Sequence, residues 1–372
     1  MAFTAGELAN IANAALDFYF NRGEAFQQAL QSRPLVKTFD GSTAKTFPGG
    51  KGNISLAVQG VYGNGGVNDS LKGYTHTDTV TFYNPANIQR VNFPWREMHI
   101  GIELTYTELK IDGISVTSEF GASGISEHSG RDATVLVNLW QNKLFDFGER
   151  YARSLNTLLW GDGAADAKAL AGIRSIITDD PTVGTVGGLD RSIAANGYWR
   201  NRAYTAAMGV AVTATPALAA WGGAPVASNP ANGGALWQVL QSEMRQLRRY
   251  GGQPNTFLAG SGFIGKLEIE MRANGYYSDS GFKKSLDGAM GPVLFDGTTI
   301  QYDPTLDDLG LTNRAYWFDN RHIYLMKMQN EWRKVHNPAR PIDQFILARS
   351  ITSTGQLVAQ QANSALVIDV VP

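Results

Sequence analysis

Ser261 is the residue of this chain that comes nearest to a catalytic nucleophile, standing in Ala259-Gly260-Ser261-Gly262. A serine exposed on a strand-to-helix elbow needs glycine two positions earlier, where Ala259 stands, so Ser261 is expected instead to cap a helix beginning near Phe263. Gly49-Gly50-Lys51-Gly52 has the small residues and the cation of a phosphate loop. It lacks the Ser or Thr after the lysine and the upstream glycine that such a loop uses. His76, His99, His128, His322 and His336 show no paired ligand spacing for a transition metal. Asp303, Asp307 and Asp308 could touch a cation, but they lack the alternating ligands and placed glycine of a calcium loop and read as a solvated turn. Asp190 beside Arg191 reads as a structural salt link in a turn rather than a catalytic pair. No catalytic, cofactor-binding or metal-ligating residue is assigned, no cofactor is expected, and the chain is read as no enzyme.

Composition narrows the classes further. The 372 residues are 43% hydrophobic and 17% charged, enough for one large unit or two joined subdomains with a sizeable core. Low charge and 41 glycines suggest surface available for contact. Lys and Arg number 32 against 33 for Asp and Glu, a net charge of −1, which argues against a protein that grips nucleic acid by charge. The absence of cysteine excludes disulfides and thiolate metal sites. No apolar run of about 20 residues appears, and Met1-Ala2-Phe3-Thr4 is not a basic leader, so neither membrane insertion nor export is expected.

Several elements are legible. Thr4-Ala5-Gly6-Glu7 reads as a capping box, followed by Leu8, Ile11, Ala15 and Tyr19 at helical spacing. A short helix from Glu24 to Gln31 is expected before Pro34, and this N-terminal arm should lie on another surface. Ile54, Leu56 and Val58 alternate, as do Val80 and Phe82, around a glycine-rich Gly60–Asn68 stretch. That pattern predicts a long two-stranded arm, which needs a body to rest on. Ile100, Ile102 and Leu104 predict another strand. The strongest helical stripe is Leu136, Trp140, Leu144, Phe147, Tyr151, Leu155 and Leu158, ending at Gly161-Asp162-Gly163. Pro216 to Gly234 reads as a loop. Leu236, Leu240, Met244 and Leu247 mark a helix whose end carries Arg245, Arg248 and Arg249, suited to its dipole, before Gly251-Gly252. Asp296-Gly297 predicts a hairpin turn within Val293–Ile300. Strands are expected at Tyr316–Phe318 and Ile323–Leu325, then at Phe345–Ile351 and Leu366–Val370 with a turn near Thr354-Gly355. The class is α+β.

This order of elements resembles the major capsid proteins of tailed bacteriophages (Caudoviricetes). The likeness extends to Leu155-Asn156-Thr157-Leu158-Leu159-Trp160-Gly161-Asp162-Gly163, Leu170-Ala171-Gly172-Ile173, Gly187-Gly188-Leu189-Asp190-Arg191-Ser192 and Tyr198-Trp199-Arg200-Asn201. It extends also to Arg248-Arg249-Tyr250-Gly251-Gly252 and Leu294-Phe295-Asp296-Gly297. The resemblance implies a Hong-Kong-97-type fold: N-terminal arm 1–50, extended β loop 51–99, and peripheral domain 100–204 with a spine helix over about 132–160. An axial domain at 205–335 and C-terminal strands at 336–372 returning to the peripheral domain complete it.

The function implied is a major capsid protein that self-assembles as hexamers and pentamers into an icosahedral shell. The shell encloses double-stranded DNA without reading it, inside a virion assembled in the host bacterial cytoplasm. A separate scaffolding protein, a portal and a decoration protein are the implied partners, with no membrane. A non-viral nanocompartment shell, or a soluble hydrolase without recognisable motifs, are the alternatives. Some relatives weld their shells through Lys–Asn bonds; Lys72 and Asn363 supply the atoms here, but no Glu follows Glu331, and crosslinking is not expected. A helix already beginning at Thr4 leads to the expectation of maturation without proteolysis of this subunit.

Overall fold

The computed structural model describes residues 33–41, 43–49, 52–60, 73–79, 88–105, 147–209, 221–228, 235–273, 294–295, 297–336 and 346–371, with the short pieces 3–4, 107, 116–117 and 143. The chain divides into two compact units. One comprises Met1–Gly49, Arg96–Ala171 and Met326–Gln356; the other comprises Gly50–Trp95, Gly172–Leu325 and Leu357–Pro372. In chain order the helices discussed are α1 (Pro34–Asp40), α2 (residues 147–160), α3 (Ala235–Arg248), α4 (Ser261–Ala273) and α5 (Pro304–Asp308).

In the first unit, Pro34 opens a helix. Its fixed φ and missing N–H suit the first turn, and α1 buries Leu35, Val36 and Phe39 completely. The helices expected from Thr4 and over Glu24–Gln31 fall outside the described residues. Helix α2 is the C-terminal part of the expected spine: Phe147, Tyr151 and Leu155 are buried at intervals of four. Leu159 and Trp160, rather than Leu158, continue the buried face, because a 3.6-residue period carries the stripe around the helix. Leu136 and Trp140 lie outside the described residues. The Tyr151 hydroxyl is 2.9 Å from Ser353 Oγ, and burial pushes its pKa up.

The strand Arg96–Thr105, carrying Ile100, Ile102 and Leu104, pairs antiparallel with Ile346–Ala359 from Ile346↔Thr105 to Gly355↔Arg96. This overturns the turn expected at Thr354-Gly355, since that strand continues through it for 14 residues. Gly355 is required by packing: a Cβ there would lie 2.8 Å from the Trp332 ring and 3.0 Å from the Met326 carbonyl. Asp40, at the end of α1, is the polar centre of this unit. Lys327 and Arg333 pair with it, and Trp332 Nε1 donates to it at 3.2 Å.

The second unit is built on a seven-stranded sheet. In spatial order its strands are Gly222–Gly223, Arg202–Tyr204, Leu366–Asp369, Arg314–Phe318, Thr256–Ala259, Thr298–Tyr302 and Leu294–Phe295. Arg314–Phe318 runs antiparallel to both its neighbours, whereas Thr256–Ala259 runs parallel to Thr298–Tyr302. Leu236, Leu240 and Leu247 of α3 and Phe263 and Leu267 of α4 share one apolar core with Phe257, Phe295 and Trp317. Phe295 and Trp317 meet edge to face at 5.4 Å, a favourable aromatic geometry. The hairpin expected at Gly297 is present, with Phe295 opposite Thr298 and Gly297 at φ +76°. The two strands expected around Asp319-Asn320 also form, as Arg314–Phe318 and Ile323–Met328, but they lie in different sheets.

Candidate assembly surfaces

Several residues singled out for chemistry in the sequence have structural tasks. Ser261 is the first residue of α4, two positions earlier than expected, and it does not cap the helix with its side chain. Its backbone N–H donates to Asp307 Oδ1 at 3.1 Å, so the cap comes from α5. Burial opposes the Asp307 charge, but hydrogen bonds from Ser261 and Tyr302 outweigh it and hold the carboxyl below its ordinary pKa. Asp303 is fully buried and caps α5 by accepting from Thr305 N at 2.9 Å. The solvated turn expected here is therefore a capped helix in which Asp303 and Asp307 accept from orphan N–H groups, while Asp308 is exposed. Glu270 of α4, also fully buried, accepts from Leu236 N and Trp237 N at the start of α3. Three successive helix starts are thus closed by carboxylates.

Asp190 and Arg191 do not pair. Asp190 accepts from Ser192 N and Oγ, at 2.8 and 2.7 Å. Arg191 is fully buried and donates to Ile176 O, Thr178 Oγ1 and Asn201 Oδ1, at 2.8 to 3.0 Å. Burial, with the Arg200 charge adding to it, pushes its pKa down to about 9. His336 Nε2 is 2.7 Å from Thr352 Oγ1, and His322 lies 3.9 Å from Asp319. Among the described residues no three His, Cys, Asp or Glu side chains converge as a metal site, and no helix is long and apolar enough to cross a membrane. Asn363 accepts from Gln361 Nε2 at 2.7 Å; His128, Lys51, Lys72 and Asp296 lie outside the described residues.

The hairpin arm consists of Asn53–Gln59 and Ile88–Pro94, paired from Asn53↔Pro94 to Gln59↔Ile88. Ile54 stands opposite Phe93 and Leu56 opposite Val91, so the alternation read from the sequence does place one apolar face. Val80 and Phe82 lie outside the described residues. The root of the arm rests on a body, as such a hairpin needs. Asn92 N donates to Gly187 O at 2.8 Å, and a Cβ on Gly187 would sit 3.0 Å from the Phe93 ring. Gly60 lies so close to the Tyr198 ring that a Cβ would overlap it at 2.0 Å. Trp199, fully buried, donates from Nε1 to Val186 O at 2.9 Å and ties the same segment together. The root is thus seated on the chain's own residues 184–200, while Ile88, 70% exposed, and Tyr74 remain open.

The buried ion pair of Arg202 with Glu243 is not among the expectations drawn from the sequence. Arg202 donates from Nη2 at 2.7 Å and from Nε, and Tyr204 OH donates to the same carboxylate at 2.8 Å. A signal existed, since Glu243 occupies the apolar stripe of α3 between Leu240 and Leu247. A charge at such a position implies a buried partner.

No protein-family model and no curated protein matches the sequence. Solved structures do match in fold. A chain of the Cyanophage A-1(L) capsid asymmetric unit aligns over 91% of this chain and 92% of its own, with TM-score 0.58 and 12% identity. The capsid of a native GTA particle covers 89% of both chains at TM-score 0.48 and 11% identity. Mycobacterium phage Bobi covers 92% of this chain and 91% of that one at TM-score 0.47 and 11% identity. The first likeness shows the fold: the chain has the Hong-Kong-97-type α+β architecture that the sequence resemblance implied.

Proposed function

We propose that the chain is the major capsid protein of a tailed bacteriophage, a structural subunit and not an enzyme. The observation that carries this reading is the near end-to-end likeness to a capsid chain, 91% of this protein against 92% of that one. A protein that merely borrowed part of the fold would leave a large remainder on one side. The committed state of Ser261, Asp190, Arg191, Asp303 and Asp307 supports it, because groups tied up in caps and buried hydrogen bonds are poor candidates for turnover. In this reading copies of the chain form hexamers and pentamers that close into an icosahedral shell around double-stranded DNA in the virion, with a separate scaffolding protein and a portal. Residues 51–99 act as the extended loop and 205–335 as the axial domain. Net charge −1 fits a container that confines DNA by closure rather than by affinity.

Negatively stained images of the purified protein, expressed with its scaffold, test this directly. Closed particles of uniform size are expected, and particles filled with DNA rather than protein separate a virion from a nanocompartment. A stable monomer with hydrolytic activity would overturn the reading. Arg150→Pro, which breaks α2 at a cost of about 3 kcal/mol or more, should abolish closed particles.

A further inference from the structure

The two ends of the seven-stranded sheet carry exposed patches of opposite charge, each with an exposed tyrosine. At the end where Thr256–Ala259 begins, α3 finishes with Arg245, Arg248 and Arg249, all exposed, followed by Tyr250 at 60% exposure. The Arg249 guanidinium lies 5.5 Å over the Tyr250 ring, and Gln361 Nε2 donates to the Tyr250 carbonyl. Asp319, the acid at this end among the described residues, is fully buried and accepts from Arg321 and from Gln253 N, so the outward character of the described surface is basic and aromatic.

At the opposite end of the same strand, Asp303 N donates to Ala259 O and Ser261 N to Asp307. This brings α5 and its flanks to the surface. Here Tyr302 is 47% and Leu309 40% exposed, Asp308 is exposed, and the Tyr302 hydroxyl donates to Asp307 Oδ2 at 2.8 Å. Among the described residues, Arg314 is committed to Asp369 and Asp179, and Lys266 to the Val371 carbonyl. This end is acidic, with an aromatic and an aliphatic side chain open to solvent. From Thr256 to Ala259 the strand spans roughly 10 Å at about 3.3 Å per residue, so one body presents both patches, off opposite ends of that strand.

We propose that these patches are the two halves of a head-to-tail contact between copies of this chain. The Tyr302–Asp308–Leu309 patch of one subunit receives the Arg245–Arg249–Tyr250 patch of the next. A self-complementary two-fold contact would set like charges against each other, Arg on Arg or Asp on Asp. A head-to-tail contact matches them, and repeated around an axis it closes a ring. Complementary potential steers the encounter and rejects the wrong register, while Tyr250, Tyr302 and Leu309 supply apolar area to bury. The proposal rests on the shell reading and specifies which surfaces meet.

The chain has no cysteine, which makes crosslinking unambiguous. Tyr250→Cys and Leu309→Cys are introduced singly and together, and assembled particles are treated with a short bismaleimide before denaturing electrophoresis. The double variant is expected to give a ladder of linked chains and each single variant only monomer. Dimers from either single variant, or monomer alone from closed particles of the double variant, would overturn the proposal. Charge reversal supplies an independent arm: Asp308→Arg should lower the particle yield on the order of tenfold, with the circular dichroism melt of the subunit unchanged. Adding Arg249→Glu should restore the yield, and a double variant no better than the single counts against the contact. If the wild-type chain forms particles and these tests fail, only the contact falls. If it forms neither particles nor rings, the shell reading falls with it.

Discussion

At the root of the hairpin arm Arg191 is fully buried with three neutral oxygens as partners, whereas in the seven-stranded sheet Arg202 and Arg314 are held by carboxylates. The consequences for the charge are opposite. Burial drives the Arg191 pKa down to about 9, with the Arg200 charge adding to the effect. Burial opposes the charge on Arg314 too, but the bidentate bonds to Asp369, at 2.6 and 2.7 Å, outweigh it and hold the guanidinium above its ordinary value. Arg191 acts as a rigid fork of donors that gathers Ile176, Thr178 and Asn201 beneath the arm. Arg202 and Arg314 act as counter-charges that allow Glu243 and Asp369 to sit in or beside the core. An arginine in a folded protein is thus not one kind of element: its partners decide whether its charge or its donor geometry is in use.

This contrast can be broken most forcefully at Arg202. Arg202→Met leaves Glu243 buried without its cation and should cost about 3–5 kcal/mol, while the double variant with Glu243→Leu should recover most of that loss. Urea denaturation of the two variants measures both numbers; a double variant as unstable as the single would show that the pair is more than compensated charge. Arg191→Met should be milder, about 1–3 kcal/mol. It takes the Arg191 donors from Ile176 O, Thr178 Oγ1 and Asn201 Oδ1, of which Asn201 Oδ1 still accepts from Thr178 N, but it also removes a desolvated cation. Hydrogen exchange should locate the loosening in residues 176–201 and leave α3 protected.

Acid provides the next, smaller test. Burial opposes ionisation of Asp319, but hydrogen bonds from Arg321 and from Gln253 N outweigh it and hold the carboxyl below its ordinary pKa. A carboxyl with a depressed folded-state pKa contributes stability that is present above the unfolded value, about 3.9, and lost as pH falls through the folded value. Asp319→Asn should therefore lower stability at pH 7 by about 1–2 kcal/mol and flatten the acid slope below about pH 4. The Arg191 cluster has no carboxylate to protonate, so exchange protection around Thr178 should outlast that around Asp319. The smallest effect is expected at Ser261. Because the cap on α4 belongs to Asp307, Asp307→Ala should cost about 1 kcal/mol and Ser261→Ala within about 0.5 kcal/mol, read as shifts in melting temperature.

Periodicity made much of the architecture legible. The spacing of Phe147, Tyr151 and Leu155, the alternation of Ile54, Leu56 and Val58, and the Gly297 turn are local signals: side-chain direction follows from backbone period alone. The stripe on α3 and its arginine-rich end were readable for the same reason. Gly355 shows where this kind of reading stops. In sequence, Thr354-Gly355 looks like a turn, because glycine most often serves backbone freedom; in the fold it makes room for Trp332, which joins it only through strand pairing.

The polar residues divide along the same line. Composition alone established that no disulfide could hold this protein and that its net charge is close to zero, and the helical position of Glu243 already implied a buried partner. It could not name Arg202, 41 residues away in sequence. Nor could it tell that Asp307 caps α4 rather than lining a solvated turn, that Asp190 and Arg191 turn away from each other, or that Gly60 and Gly187 press against Tyr198 and Phe93. Each of these depends on which distant segments meet, and the free energy of a hydrogen bond or an ion pair is set by the burial and partners found there. Local pattern therefore determined the elements, while tertiary packing decided what each polar side chain and each glycine is for.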